Sequence, residues 1–297
     1  MFKTISNIMK VEDLRKKILF TLAVLIVYRI GSFIPVPNID TEFLKSIDRS
    51  QQGDIFGLLN TFSGGALFNF SIFAMGIMPY ITASIIVQLL SMDVIPKFAE
   101  WAKEGEAGRR KLTQFTRYGT VVLGLIQAFG TAIGFNRLYS YQMVNDPGFG
   151  TYTLIAIVLT AGTAFLMWLG EQITDKGIGN GISILIFAGI VAAIPTGARQ
   201  IYATLFMGEA AEALFLNIIK AIVIVLVIIA IIVGVIFVQQ GVRKIPVQYA
   251  KRIVGRKMYG GQSTHIPLKV NAAGVIPVIF AISLLMFPVT IASFWQG

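Results

Sequence analysis

Few residues in this chain could make or break a bond. Cysteine is absent, which removes disulfides, thiolate metal sites and cysteine nucleophiles. The single histidine, His265, is too little for a zinc site or a Ser-His-Asp relay, and it reads as structural. Gly177-x-Gly179-x-Gly181 has the glycine spacing of a phosphate loop, but no strand precedes it and no Gly-Lys-Ser/Thr follows. No catalytic residue, metal or cofactor is therefore expected. Arg29 remains, an ionisable group inside an apolar run, which flags function by default although it lies near enough to the run's end to snorkel. Ile77 and Ile81, and again Ile182 and Ile186, stand four apart on one helical face, the spacing of packing residues. Thr82, Ser84 and Gln88 suit hydrogen bonding between helices.

The elements that carry these residues belong in a membrane. The 297 residues are 55% hydrophobic and 13% charged, with a mean hydropathy of +0.74. Soluble chains are about 25% charged, so the charge here is too thin to cover a soluble domain. Seven stretches approach the roughly 20 apolar residues that a ~30 Å hydrocarbon core requires, at about 18–36, 71–92, 114–134, 151–170, 179–196, 214–238 and 273–294. Most of the 25 lysines and arginines fall in 1–17 and in the connections after the second, fourth and sixth stretches. The opposite connections hold mainly acids, among them Asp40, Asp48, Asp54, Asp146, Glu209 and Glu212. Basic loops stay in the cytoplasm, so the N-terminus is expected inside. Topology accounts for the net charge of +10 without nucleic acid. The first apolar run is full membrane length and no small-residue cleavage site follows, so no cleavable signal peptide is expected.

Residues 55–70 are apolar but too short to cross, which suggests either a re-entrant element or a helix lying flat at the interface. Ala74-x-Gly76-Ile77-Met78-Pro79-x-Ile81 is echoed by Ala272-x-Gly274-Val275-Ile276-Pro277-x-Ile279 five spans later, hence in the opposite orientation. That is the trace of an inverted repeat of five helices. It predicts a cytoplasmic segment at 1–17, a first half over 18–202, and the start of a second half over 203–297 with a cytoplasmic loop at 239–271. The second half is then expected to be truncated, lacking three spans.

Longer stretches carry a resemblance: Arg29 to Pro37, Phe62 to Leu67, Gly76 to Ile81, Gly108 to Lys111, Phe165 to Thr174, Gly177 to Ser183, Gln262 to His265, and Pro267 to Asn271. Over its whole length the chain resembles the N-terminal two-thirds of the SecY family, the channel-forming subunits of the bacterial Sec protein translocase. The resemblance implies an all-α polytopic transmembrane bundle of two pseudosymmetric five-helix halves in the bacterial cytoplasmic membrane. It implies a passive pore that passes unfolded secretory polypeptides and releases membrane-protein helices sideways into lipid. The family's partners are SecE and SecG in a heterotrimer, the SecA motor ATPase or the ribosome as energy source, and signal sequences and nascent chains as cargo. The missing spans would come from a separate chain.

The same resemblance gives the residues roles. Ile77, Ile81, Ile182, Ile186 and Ile279 match the family's pore ring, and residues 55–70, with Phe56, Leu59, Phe62, Gly64, Gly65 and Leu67, match its plug. Phe62 is the first choice for the residue beneath the ring. Thr82, Gln88, Asn271, Ile276 and Phe287 match the lateral gate, where Pro79 and Pro277 would bend the flanking helices. Arg243, Lys244, Lys251, Arg252, Arg256 and Lys257 match the loop that docks SecA or the ribosome. A secondary transporter would share inverted repeats and broken helices, but mid-membrane acids for substrate or coupling ion are missing. An intramembrane protease would need a Ser-His or paired-Asp site within the spans, and neither is present.

Overall fold

In the computed structural model, which describes residues 10–40, 42, 60–138, 143–206, 214–247, 252–254, 257–259, 264–272, 274, 277, 278 and 281, prolines decide where the first helix stops. Helix α1 spans Glu12–Gly31, with acids in its first turn and Arg29 in its last, matching the helix dipole. The apolar run continues to Val36, but Pro35 and Pro37 lack N–H donors and hold the residues before them extended. The chain leaves by turns, with Phe33 N–H on Ile30 O and Ile34 N–H on Gly31 O. The stretch expected as a span over 18–36 is thus helical only to Gly31.

Helix α2 (Met78–Leu89) runs into one π-helical turn, Leu90–Val94. The axis then bends by 95° into the short α3 (Pro96–Lys103). Phe98, Trp101 and Phe115 cluster at the bend with centroids 5.2–5.5 Å apart, Phe98 stacked on Trp101 and edge-on to Phe115. The remaining helices are α4 (Glu106–Leu138), α5 (Phe149–Lys176), α6 (Gly181–Phe206) and α7 (Leu214–Gln240). These four are long and apolar enough to cross a bilayer, and α2 with α3 forms a fifth, bent candidate. The chain is a multi-pass membrane protein. At 33 residues, α4 is about 50 Å long and must project beyond the hydrocarbon. The expected seventh span, 273–294, lies largely outside the described residues.

The second span starts later than its composition suggests. Ser71 bridges to Pro35, residues 72–77 are turns, and helix begins only at Met78, with Pro79 in the first turn rather than at a mid-helix kink. Gly76, at φ 55°, makes the entry that a residue with a Cβ would resist. The echo repeats the device: Gly274 has φ 64°, and Pro277 and Val278 are helical.

Contacts divide the chain into two compact units, meeting in sequence at Gly197–Ala198. In the first, α4 and α5 approach through small residues, Gly124 facing Thr160 and Ala128 and Ala132 buried. Beyond α1, Val36 N–H donates to Phe70 O and Ile72 N–H to Ile34 O, while Asp40 N–H reaches Met143 O. Asn136 closes that end, its Oδ1 accepting the Met143 and Val144 amides and its Nδ2 donating to Tyr152 Oη. In the second unit, the loop after α7 is strand rather than coil. Strand β1 (Val242–Val247) pairs antiparallel with β4 (Thr264–Lys269), and β2 (Arg252–Val254) with β3 (Lys257–Tyr259).

A Cβ at Gly162 on α5 would collide with the Ile72 carbonyl, whereas one at Gly234 on α7 would meet nothing within 4 Å. Gly162→Ala should therefore destabilise the protein by about 1–3 kcal/mol, and Gly234→Ala should not. Thermal unfolding of both variants in one detergent tests this, and equal midpoints would contradict the packing described.

Candidate functional site

The isoleucine positions converge because glycines let helices approach. Ile77 is the residue before α2, 7% exposed, and Ile81 lies one turn on, its N–H bonded to Ile77 O. Ile182 opens α6, where Asn180 Oδ1 accepts the Ile182 and Ser183 amides as an N-cap. A Cβ at Gly181 would collide with Gly170 O, and one at Gly170 would touch Ile182 Cγ1 at 3.1 Å. That close α5–α6 approach sets Ile182. Ile77 and Leu185 are buried in one apolar cluster with Val24, Tyr28, Ala66 and Phe73, and Ile81 and Ile182 pack against it. Ile186 is half-buried. Ile279 lies outside the described residues.

The glycine run has a use other than phosphate. Gly177 N–H donates to Ile173 O, Ile178 N–H to Thr21 Oγ1 and Gly181 N–H to Thr174 Oγ1. Its amides thus tie the α5–α6 turn to α1 and to α5. Among the described residues no cluster of His, Asp or Glu could hold a metal ion.

Of the segment matched to a plug, 60–70 is described, and Phe56 and Leu59 lie outside. Residues 60–62 are helical. Gly65 N–H reaches back to Asn60 O and Gly64 N–H to Thr61 O, the paired bonds of a Schellman cap with Gly64 in the left-handed region at φ 66°. Asn60 Oδ1 accepts Phe68 N–H, and Ser63 Oγ accepts Leu67 N–H. Leu67 is buried in the cluster around Phe70 and Phe135. Phe62 is half-buried, and its carbonyl lies 2.8 Å from where a Cβ at Gly189 of α6 would stand. From this segment Ala66 is buried in the isoleucine cluster, with Phe73 just beyond it.

Sequence reasoning missed the partners that hold this segment. Tyr28 Oη donates to Ser63 O at 3.0 Å and Arg29 Nη1 to Gly64 O at 2.7 Å. Phe73 stacks between Tyr28 and Phe165 at centroid distances of 6.2 and 6.1 Å. The ionisable residue within an apolar run was the available signal for Arg29. For Gly189 there was none.

Thr82 is buried, but its Oγ1 donates to Met78 O of its own helix. Gln88 is exposed. Asn271 Oδ1 accepts Gly274 N–H at 3.0 Å, capping the turn ahead of Pro277. Ile276 and Phe287 lie outside the described residues. In the ribbon, strand alternation puts Arg243, Ile245 and Val247 on one face with Ile266 and Leu268. Val242, Lys244 and Pro246 share the other with His265, Pro267 and Lys269. Arg243, Lys244, His265 and Lys269 are exposed. Arg252 and Lys257 lie in β2 and β3, while Lys251 and Arg256 fall outside the described residues.

Comparison with known proteins bears on this arrangement. The SecY family model matches residues 71–297. The protein translocase subunit SecY of Halalkalibacterium halodurans is 68% identical over 292 residues, covering 98% of this chain and 67% of that protein. That of Bacillus subtilis is 63% identical over 295 residues, 99% of this chain and 68% of that one. Among solved structures, a protein-conducting channel aligns with a TM-score of 0.59 at 21% identity, over 94% of this chain and 59% of that one. Sec61 in a canine ribosome–channel complex from the endoplasmic reticulum aligns with a TM-score of 0.58 at 20% identity, over 94% and 60%. At these identities the solved structures speak for the fold. The chain spans about two thirds of the length of these relatives and about three fifths of the solved chains.

Gly189 offers a direct test of the packing around residues 62–64. Gly189→Ala should push Phe62 O and Gly64 N aside and speed amide exchange at Gly64 to Phe68 about tenfold, against an overpacking cost near 1.4 kcal/mol. Gly197→Ala, with open space around it, should leave that exchange unchanged. Equal rates in the two variants, measured by hydrogen exchange of the purified protein, would show that the segment does not bear on α6.

Proposed function

The chain belongs to the SecY family, and on that premise we propose that it supplies the greater part of the channel-forming subunit of a Sec protein translocase. It sits in the bacterial cytoplasmic membrane with its N-terminus in the cytoplasm. The observation that carries this reading is the apolar cluster in which Ile77, Ile81 and Ile182 gather against an irregular, self-capped segment. Branched aliphatic side chains give water and ions no hydrogen bonds, so a narrow ring of them closes by dewetting. They also make no sequence demand on a passing polypeptide. Ile186 and Ile279 complete the ring and residues 55–70 form the plug.

The chain itself drives nothing. SecA or the ribosome supplies the energy, and the ribbon between α7 and the seventh span is their docking site. Arg243, Lys244, Lys251, Arg252, Arg256 and Lys257 pair there with acidic protein groups or RNA phosphates. SecE and SecG complete the heterotrimer. Thr82, Gln88, Asn271, Ile276 and Phe287 line a lateral gate, whose mixed polar and apolar contacts are weak enough to part for a signal sequence and release apolar helices to lipid.

Two measurements on the full-length channel test this. Ile81→Ser with Ile182→Ser should raise resting single-channel ion conductance in a planar bilayer while secretion of a substrate persists. Polar side chains would keep the constriction wet, whereas an ion crossing the aliphatic ring loses water ligands and gains none. A variant as tight as the parent, even with residues 55–65 deleted, would make these isoleucines packing residues. Separately, Arg243→Glu with Lys244→Glu should weaken SecA or ribosome binding at least tenfold at moderate salt. Unchanged binding across a salt series would remove the docking role.

A further inference from the structure

Arg29 lies in the last turn of α1, half-buried, with its Cζ 4.6 Å from the centroid of the Phe33 ring. Its Nη1 donates to Gly64 O at 2.7 Å. One residue earlier, Tyr28 is 4% exposed and donates to Ser63 O at 3.0 Å. Neighbouring side chains on a helix point about 100° apart, yet these two hold two consecutive carbonyls of one segment. The far wall is α6, where Gly189 leaves room for Phe62 O, Tyr28 Oη and Gly64 N, all within 3.2 Å of where its Cβ would stand.

We propose that Tyr28 and Arg29 are positioning residues of the closed channel: a two-point latch that holds the Ser63–Gly64 hinge, and through it the plug, against α1 until α1 and α6 part. The proposal rests on the channel reading above and names how that channel is kept shut. Gly64 occupies the left-handed position of the cap closing the turn at 60–62. The direction in which the preceding residues leave is therefore set at Ser63 and Gly64, and fixing their carbonyls fixes that direction.

The latch is also sensitive to water. A guanidinium within an apolar run needs a substitute for hydration, and Gly64 O provides it through a bond about twice as strong as a neutral one. In a dry junction, breaking it would leave a charge and a carbonyl unpaired. Once water enters, both groups find new partners, and the hold weakens. Closure is firm while dry and cooperative in its loss.

The test uses the full-length channel with its partner subunits, reading resting KCl conductance in planar bilayers. Tyr28→Phe and Arg29→Gln should each raise the resting open fraction on the order of tenfold, the worth of one such bond, and together they should raise it further. Arg29→Lys should recover part of the closure. Deleting residues 55–65 should make the channel leak, and the double replacement should then add nothing. If the deletion leaves the channel tight, the plug reading fails and the latch with it. If the deletion leaks but the double replacement does not, the latch alone is overturned. Should Arg29→Gln fold poorly, Tyr28→Phe decides, since it removes one oxygen and keeps the ring stacked on Phe73. Unchanged amide exchange at Gly64 to Phe68 in that variant would also refute the latch.

Discussion

Hydrocarbon offers no partner to a backbone N–H or C=O, so any stretch of chain at membrane depth that is not helix must find its hydrogen bonds in the protein. Residues 60–77, apolar and mostly irregular, meet that requirement with borrowed groups whatever depth they take. Asn60 and Ser63 side chains cap the turn, Ser71 Oγ accepts Phe73 N–H, and Ile34 and Val36 exchange bonds with Ile72 and Phe70. Tyr28 and Arg29 take carbonyls that the segment leaves over. The helices around it are built to come close enough, with glycine at 162 against Ile72 and at 189 against Phe62 and Gly64. Remove the irregular segment and neither Gly162 and Gly189 nor the Arg29 guanidinium keeps the partner it meets here.

The long helices are legible in sequence because an apolar run of membrane length needs no tertiary information to form. The entry to α2 is not. Ser71 to Ile77 is as apolar as the helix that follows, and only Gly76 and Pro79 hint that the backbone must first turn through the left-handed region. The isoleucine positions are visible at helical spacing, yet their gathering depends on how closely α5 and α6 approach, which Gly170 and Gly181 decide across a turn. The roles of Tyr28 and Gly189 stay hidden, since the carbonyls they meet lie far along the chain. The ribbon is hidden for a different reason. Both its faces are exposed, so the alternation of apolar and polar residues that usually betrays a strand is blurred.

The echoed motif gains meaning from its backbone. In each copy a left-handed glycine precedes by three residues a proline that is itself helical, and in the first the helix begins at Met78 with Pro79 in its opening turn. The glycine reverses the approach and the proline, with no N–H to satisfy, starts the helix at no cost in hydrogen bonds. The two copies therefore share a backbone device, a left-handed glycine followed by a helical proline, as well as a residue pattern.

One further consequence concerns how such a chain is made. From Phe215 to Val238, α7 exposes nearly all of its apolar side chains, and isoleucine and valine dominate the run. In water, β-branched residues without proline and with a single lysine favour strands that pair between molecules. In lipid the same residues become helix, because each amide must bond within its own segment. Solvent alone thus selects between aggregate and span for this sequence. The segment has to pass from its site of synthesis into the bilayer without an interval in water, which couples its delivery to the membrane to its synthesis.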